Sequence, residues 1–307
     1  MSNEQPGRLN QGASLDTFAK VRHKVPATAA DLTQVHSLLF APGNDERKLE
    51  KALVSEAHAV VCDLEDAVPP EEKDAARKAT RRALLTTGTG PDRLLRMVRI
   101  NAVGTAYWED DLRAVEELEL DAIVLPKAMP DTVDALGDDG PSLIAIVETA
   151  AGLRLAYETA RRRRVAALAL GAVDLGVELA LQPREDGLEI LYARSALVVD
   201  SAAAGIRAPF DVVRLDWHDE ERLEAECRLA RSLGFGGKLC IHPSQLPVVN
   251  RVFGPAAEDV AWAHRVLDAY DEGLSTGRGV VALNGQMIDL PVVERARRIL
   301  AESKGAR

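Results

Sequence analysis

The chain has 307 residues, 47% hydrophobic and 28% charged, with a formal net charge of −10 and 4% aromatics. That composition supports a large buried core, while the acidic balance and scarce aromatics argue against binding to nucleic acid. Its three cysteines (Cys62, Cys227, Cys240) are too few and too scattered for a disulfide framework or a CxxC metal site. No run approaches the ~18 apolar residues of a membrane helix, and no signal-peptide core is seen near the start, so a reducing cytoplasm is the expected setting.

Residues 1–33 are polar and aperiodic and read as an N-terminal extension. Short runs rich in Val, Ile and Leu then recur at 36–41, 59–64, 94–100, 122–126, 142–147, 165–171, 210–215 and 237–241. Each is bounded by Pro, Gly, Asp or Asn, the pattern of strands buried on both faces. Between most of them the periodicity turns helical. Pro69 to Ala79 opens with proline and acids and continues with bases, in agreement with the helix dipole. Glu221 to Leu233 is closed by Gly234.

Eight strands with intervening helices fit the ~250 residues of a (β/α)₈ TIM barrel, assigned here to 34–254. A doubly wound open sheet is the alternative; its Gly-rich phosphate turn is missing, because Gly43-Asn44-Asp45 follows the first strand. Residues 255–307 read as a C-terminal helix–hairpin–helix extension, with Asn284-Gly285 as the hairpin turn. This tail is too small for an independent core and is expected to pack on the barrel or on a neighbouring subunit.

In a barrel, chemistry collects at the C-terminal ends of the strands. Here those ends carry Asp63 to Asp66, Arg99 to Asn101, Lys127, Glu148, Asp174 and His242. Glu148 and Asp174 lie about one β/α unit apart, so they are predicted neighbours on strands five and six. Two carboxylates without a close Cys or His suit a hard cation such as Mg²⁺. Asp63 and Glu65 are placed to accept from metal-bound water or from Arg99, while Asp66 reads better as a cap for the following helix. Arg47 and Lys51 are i,i+4 neighbours on the first helix and, with Lys48 and Asn44, are candidates to meet a ligand's phosphates; a solvated helix face explains them equally well. Lys127 is the better cation for the site itself, and the Arg161–Arg164 run reads as dipole complementarity at a helix end.

Eight segments stand in an order that resembles the HpcH/HpaI aldolase/citrate lyase family, in its citrate lyase β-subunit-like (CitE-like) branch. They are Ser37–Asn44, Asp63–Val68, Arg99-Ile100-Asn101, Leu125-Pro126-Lys127, Val147–Ala150, Gly171–Leu175, Ile241-His242-Pro243 and Gly285–Asp289. The resemblance covers about residues 36–300. It implies a TIM barrel, usually homotrimeric, that cleaves or forms a carbon–carbon bond next to a thioester such as malyl-CoA or citramalyl-CoA. It also implies Glu148 and Asp174 as Mg²⁺ ligands, Arg99 as substrate-binding, and Asp289 as a catalytic acid/base that reaches the active site of the adjacent subunit. Related activities on this barrel are a citryl-thioester lyase subunit, a class II keto-acid aldolase and a thioesterase; a non-catalytic partner subunit is the reading from outside enzymology. Val173, Glu178 and Gln286 depart from the family's usual residues, and this bears on which substrate is taken.

Overall fold

A computed structural model describes residues 32, 34–86, 94–275 and 280–305. The first half runs β1 (Ser37–Pro42), α1 (Glu46–Leu53), β2 (Ala59–Asp63), α2 (Lys73–Thr86), β3 (Leu95–Arg99), α3 (Trp108–Val115), β4 (Ala122–Leu125), α4 (Pro130–Asp134) and β5 (Ser142–Val147). It continues through α5 (Ala150–Arg154), α6 (Ala156–Ala160), β6 (Val165–Leu170), α7 (Ala172–Glu178), α8 (Leu191–Ala204), β7 (Phe210–Asp211), α9 (Glu220–Leu233), β8 (Gly237–Cys240) and α10 (Leu246–Phe253). Strands β1 to β8 pair in parallel, in chain order, into a closed barrel, which excludes the open-sheet alternative.

The barrel interior follows from a two-residue alternation. Leu38, Ala59, Val61, Met97, Val124, Ile144, Ile146, Ala169, Phe210 and Leu239 form one buried cluster inside the barrel. The alternate residues, among them Leu39, Val60, Cys62, Val98, Leu125, Ala145, Val147 and Cys240, pack outward with the helices in a second cluster. Strands apolar on both faces are the reason the sequence shows continuous hydrophobic runs. Leu32 and Val35, which precede β1, join the interior cluster. The 1–33 extension otherwise lies outside the described residues.

Two elements differ from the periodicity. The helix expected from Pro69 begins as a 3₁₀ turn at Pro70–Glu72 and becomes α-helical at Lys73. Strand β7 is two residues long instead of extending over 210–215. Among the described residues, β6 meets β7 at the single register pair Ala169↔Phe210. What holds β7 is charge. Asp211, wholly buried and pointing outward, accepts from Arg194 Nε (2.8 Å) and Lys238 Nζ (2.9 Å), tying the strand to α8 and β8.

After the barrel come α11 (Ala257–Ser275), β9 (Val281–Leu283), β10 (Gln286–Ile288) and α12 (Leu290–Gly305). The Asn284-Gly285 turn has φ of 52° and 79°, the twist a two-residue hairpin needs. Ala263, Val266, Ile288, Val293 and Ala296 form a third buried cluster, separate from the barrel's two. Residue 279, at the edge of the expected hairpin, lies outside the described residues.

Candidate active site

The inward register that buries Val61, Met97 and Ile146 delivers Asp63, Arg99 and Glu148 as the next inward positions of β2, β3 and β5. Each strand therefore presents its first inward-facing charged group at the rim of an apolar interior. Arg99 Nε and Nη2 donate to the two oxygens of Asp63 at 2.7 and 2.6 Å, the bidentate fork for which the guanidinium is shaped. Its Nη1 lies 2.8 Å from Glu65 and 3.5 Å from Asp66, and its face sits 5.3 Å from the Phe40 ring centroid. Lys127 Nζ stands between Glu65 (3.4 Å) and Asp174 (3.8 Å), and its backbone N–H donates to Glu148 Oε1 at 2.7 Å. Asp63, Glu65, Arg99, Lys127, Glu148 and Asp174 thus form one connected cluster spanning β2 to β6.

Local sequence fixes these groups. Lys73, buried at the start of α2, donates to the carbonyls of Leu64 and Glu65 and to Asn101 Oδ1, so the segment after β2 is held at the rim. Asn101 Nδ2 in turn donates to the Leu64 carbonyl and to Asp111, which pairs with Arg77. Asn101, expected at the mouth from its strand-end position, is therefore a buried clamp. Lys127 adopts φ of 48°, the left-handed bend that turns its amide towards Glu148. Gly171, the inward position after β6, has no side chain because a Cβ there would lie 2.6 Å from Glu148 Oε2 and 2.9 Å from Ile146 Cγ2. Asp174 lies in the first turn of α7, and the longer Glu178 on the same helix accepts from the Ala150 N–H, capping α5.

Burial sets the electrostatics. It pushes the Glu148 carboxyl up to about 7, against the Lys127 amide that favours the charged form, and Asp174 adds to the rise. Burial likewise pushes Glu65 up to about 7, with Arg99 opposing. Desolvation works against the Arg99 charge, but the hydrogen bonds and charges of Asp63 and Glu65 outweigh it and raise its pKa. The cluster holds more carboxylates than cations, and Glu148 and Asp174 are the two acids in it without an arginine partner among the described residues. Among the described residues no Cys or His joins them, so the donor set suits a hard divalent cation.

Other residues singled out from the sequence lie elsewhere. Asn44 donates to Glu72, Lys48 pairs with its own helix cap Asp45 at 3.3 Å, and Arg47 is exposed on α1. His242 caps the 3₁₀ turn Pro243–Gln245 and stacks on Trp217, with ring centroids 5.4 Å apart. Arg164 lies past the end of α6 and binds the carbonyls of Leu136, Gly137 and Pro141, so it staples a loop instead of complementing a dipole. Within one chain Asp289 accepts from the Val292 amide at 3.3 Å, at the start of α12. Phe40 beneath Arg99 and Gly171 beside Glu148 lie in segments singled out from the sequence but are given no role there, although both follow from continuing the inward register by two residues from Leu38 and Ala169.

The chain matches the model of the HpcH/HpaI aldolase/citrate lyase family over residues 36–136 and 138–243. It is 36% identical over 279 residues to the citrate lyase subunit beta of Leuconostoc mesenteroides subsp. cremoris, covering 86% of this chain and 91% of that protein. It is also 36% identical over 271 residues to a (3S)-malyl-CoA thioesterase of Cereibacter sphaeroides, covering 87% and 94%. The crystal structure of CitE from Mycobacterium tuberculosis in complex with magnesium, acetoacetate and coenzyme A superposes with a TM-score of 0.76. That match has 36% identity and covers 89% of this chain and all of the other. A closed parallel barrel with this rim, matched over most of its length by such relatives, belongs to the HpcH/HpaI aldolase/citrate lyase family.

Proposed function

We propose that the protein is a Mg²⁺-dependent carbon–carbon lyase that cleaves, or in reverse condenses, a 3-hydroxyacyl-CoA thioester such as malyl-CoA or citramalyl-CoA, giving an α-keto acid and an acyl-CoA. The observation that carries this reading is the pair Glu148 and Asp174 beside the Arg99 cation on one arc of the rim. The two carboxylates would hold the metal, and the missing side chain at Gly171 leaves room next to Glu148 Oε2. Mg²⁺, when bound, supplies Lewis acidity at the carbonyl that forms on cleavage. Arg99 is a permanent cation whose position is locked by Asp63 and Glu65, so it can offset charge on the substrate carboxylate or on the enolate oxygen without reorganising. Lys127 adds a second cation on the exposed side. Asn44, Arg47 and Lys48 stand at the N-terminal end of α1, on the same face of the barrel, and are assigned to the CoA phosphates.

Asp289 is assigned as the acid that protonates the enolate carbon, acting in the site of a second copy. Its half-buried position at a helix start, in a segment with its own small core, supports a unit that projects from the barrel. The assembly is inferred to be a homotrimer working in the cytoplasm, organised as extension 1–33, barrel 34–254 and projecting unit 255–307. Among the described residues no helix is long and apolar enough to cross a membrane.

Malyl-, citramalyl- and citryl-thioesters, supplied with Mg²⁺ and assayed for keto acid and acyl-CoA, test the reading, with Glu148→Ala as control. Keto-acid release that depends on Glu148 is expected, and its absence from every thioester would overturn the assignment. Asp289→Asn should abolish turnover while Mg²⁺ still binds. Mixing inactive Asp289→Asn and Glu148→Ala chains should restore activity if the acid acts in trans. The thioesterase relative favours a second reading, hydrolysis of the thioester after or instead of cleavage; free CoA in the same assay distinguishes it.

A further inference from the structure

The weak β6–β7 seam has a cavity above it. Past the single pair Ala169↔Phe210 the two chains separate, and a cavity of about 830 Å³ opens between α7, the 180–190 segment and α9. This lies within the ~300–1,000 Å³ range of small-molecule pockets. Its walls nearest the rim are Ala172 and Val173 on the β6 side and Val212 and Val213 on the β7 side. Val213 also packs on the cluster inside the barrel, and Val173 immediately precedes Asp174. The cavity thus reaches the residue before Asp174 on α7, while the six charged groups of the cluster lie outside its lining. Val177 and Leu215 continue the apolar wall outward. The arginines that line it are already matched: Arg184 by Asp186, Arg194 by Asp211, Arg214 by Glu226 and Arg222 by Glu185. Glu189 and Asp216 also line it, so the wall is apolar at Ala172, Val173, Val177, Val212, Val213 and Leu215 and offers no unmatched arginine for an anion.

We propose that this cavity receives an apolar substituent on the keto-acid half of the substrate, so that the enzyme acts on thioesters whose keto-acid product carries an alkyl chain longer than methyl. The inference rests on the lyase reading above, because the keto acid is the fragment that would chelate at Glu148 and Asp174, beside Val173. An acidic residue at position 173 would place a charge at the cavity entrance; valine leaves the entrance apolar. Malyl and citramalyl groups would leave most of the cavity unused.

The test is calorimetric titration of the intact protein in saturating Mg²⁺ with pyruvate and with 2-oxooctanoate. Each methylene buried tightens binding by roughly fourfold, so 2-oxooctanoate should bind at least tenfold more tightly than pyruvate. Val213→Trp, at the entrance, and Val177→Trp, at a position 80% exposed where a larger side chain does not disturb folding, should each reduce that preference below threefold and leave pyruvate affinity unchanged. Equal affinity for the two acids in the wild type, or a preference that survives both tryptophans in chains that melt normally, overturns the proposal. If neither acid binds in Mg²⁺, the lyase reading itself fails.

Discussion

Gly171→Ala isolates the steric demand of the carboxylate pair. Gly171 has φ of −95° and ψ of 75°, a conformation open to alanine, so backbone strain does not enter. The added methyl would lie 2.6 Å from Glu148 Oε2 and 2.9 Å from Ile146 Cγ2, and closer still to the Glu148 Cβ. Ordinary contacts between such atoms are ~3.5–4.0 Å, so Glu148 has to move by about 1 Å. Overpacking of this kind costs about 1–3 kcal/mol, or ~2–4 °C of Tm for each kcal/mol in a chain of this size. Losing the support of a metal ligand weakens binding by roughly 10–100-fold. Calorimetric titration with Mg²⁺ and thermal unfolding measure both effects. Gly176→Ala is the control, since its methyl meets nothing within 4 Å and lies in α7, where alanine is the better helix former. A Gly171→Ala chain that binds Mg²⁺ within twofold of wild type and melts within about a degree of it would refute the reasoning.

Burial raises the Glu148 carboxyl from 4.5 to about 7, so Mg²⁺ has to displace a proton below that pH: affinity should climb about tenfold per unit up to near 7 and then level off. For the metal-free chain the sign runs the other way, because a raised acid pKa means the folded state holds more protons. This contribution to stability is therefore lost as pH rises from 4.5 to 7, and Tm measured with and without Mg²⁺ should diverge across that window. Arg99→Lys removes the fork to Asp63 and the bond to Glu65; it should destabilise the fold by about 2–3 kcal/mol and cut turnover at least ~100-fold, and near-normal kcat would show that a point charge suffices. Arg194→Met leaves Asp211 buried with Lys238 alone, at a cost of about 3–5 kcal/mol in urea unfolding. A loss under 1 kcal/mol would mean that the seam does not depend on this charge.

Much of the barrel can be read from the sequence because its strands are buried on both faces: runs such as Ala59–Asp63 and Val165–Leu170 stand out against polar helices. The carboxylates were visible for a related reason, since an acid that directly follows a buried run has to lie at its end. Side-chain direction beyond that end was not visible. Asn101 and His242 occupy equivalent positions in the sequence, yet one is clamped under the rim by Lys73 and the other caps a turn. Strand β7 is shorter than its apolar run because Val212 and Val213 pack on the core without pairing in the sheet and Leu215 lies beyond them on the cavity wall. Asp289 shows the limit of a single chain: within it the side chain makes a local cap at Val292, and its assigned role needs a second copy.

The ion-paired fastening of β7 has a mechanical consequence. Strands β1 to β6 form one continuous ladder that carries every member of the charged cluster, whereas β7 and β8 join it through one backbone pair at one side and through β1 at the other. A catalytic field is effective in proportion to how little its dipoles move, and a pocket tolerates varied guests in proportion to how readily its wall gives way. Here the two demands fall on adjoining arcs of one ring that meet at α7. Amides on the β6–β7 side should exchange with solvent before those of β2 to β5, and substitutions that alter substrate range should accumulate on that arc without disturbing the charges carried by β2 to β5.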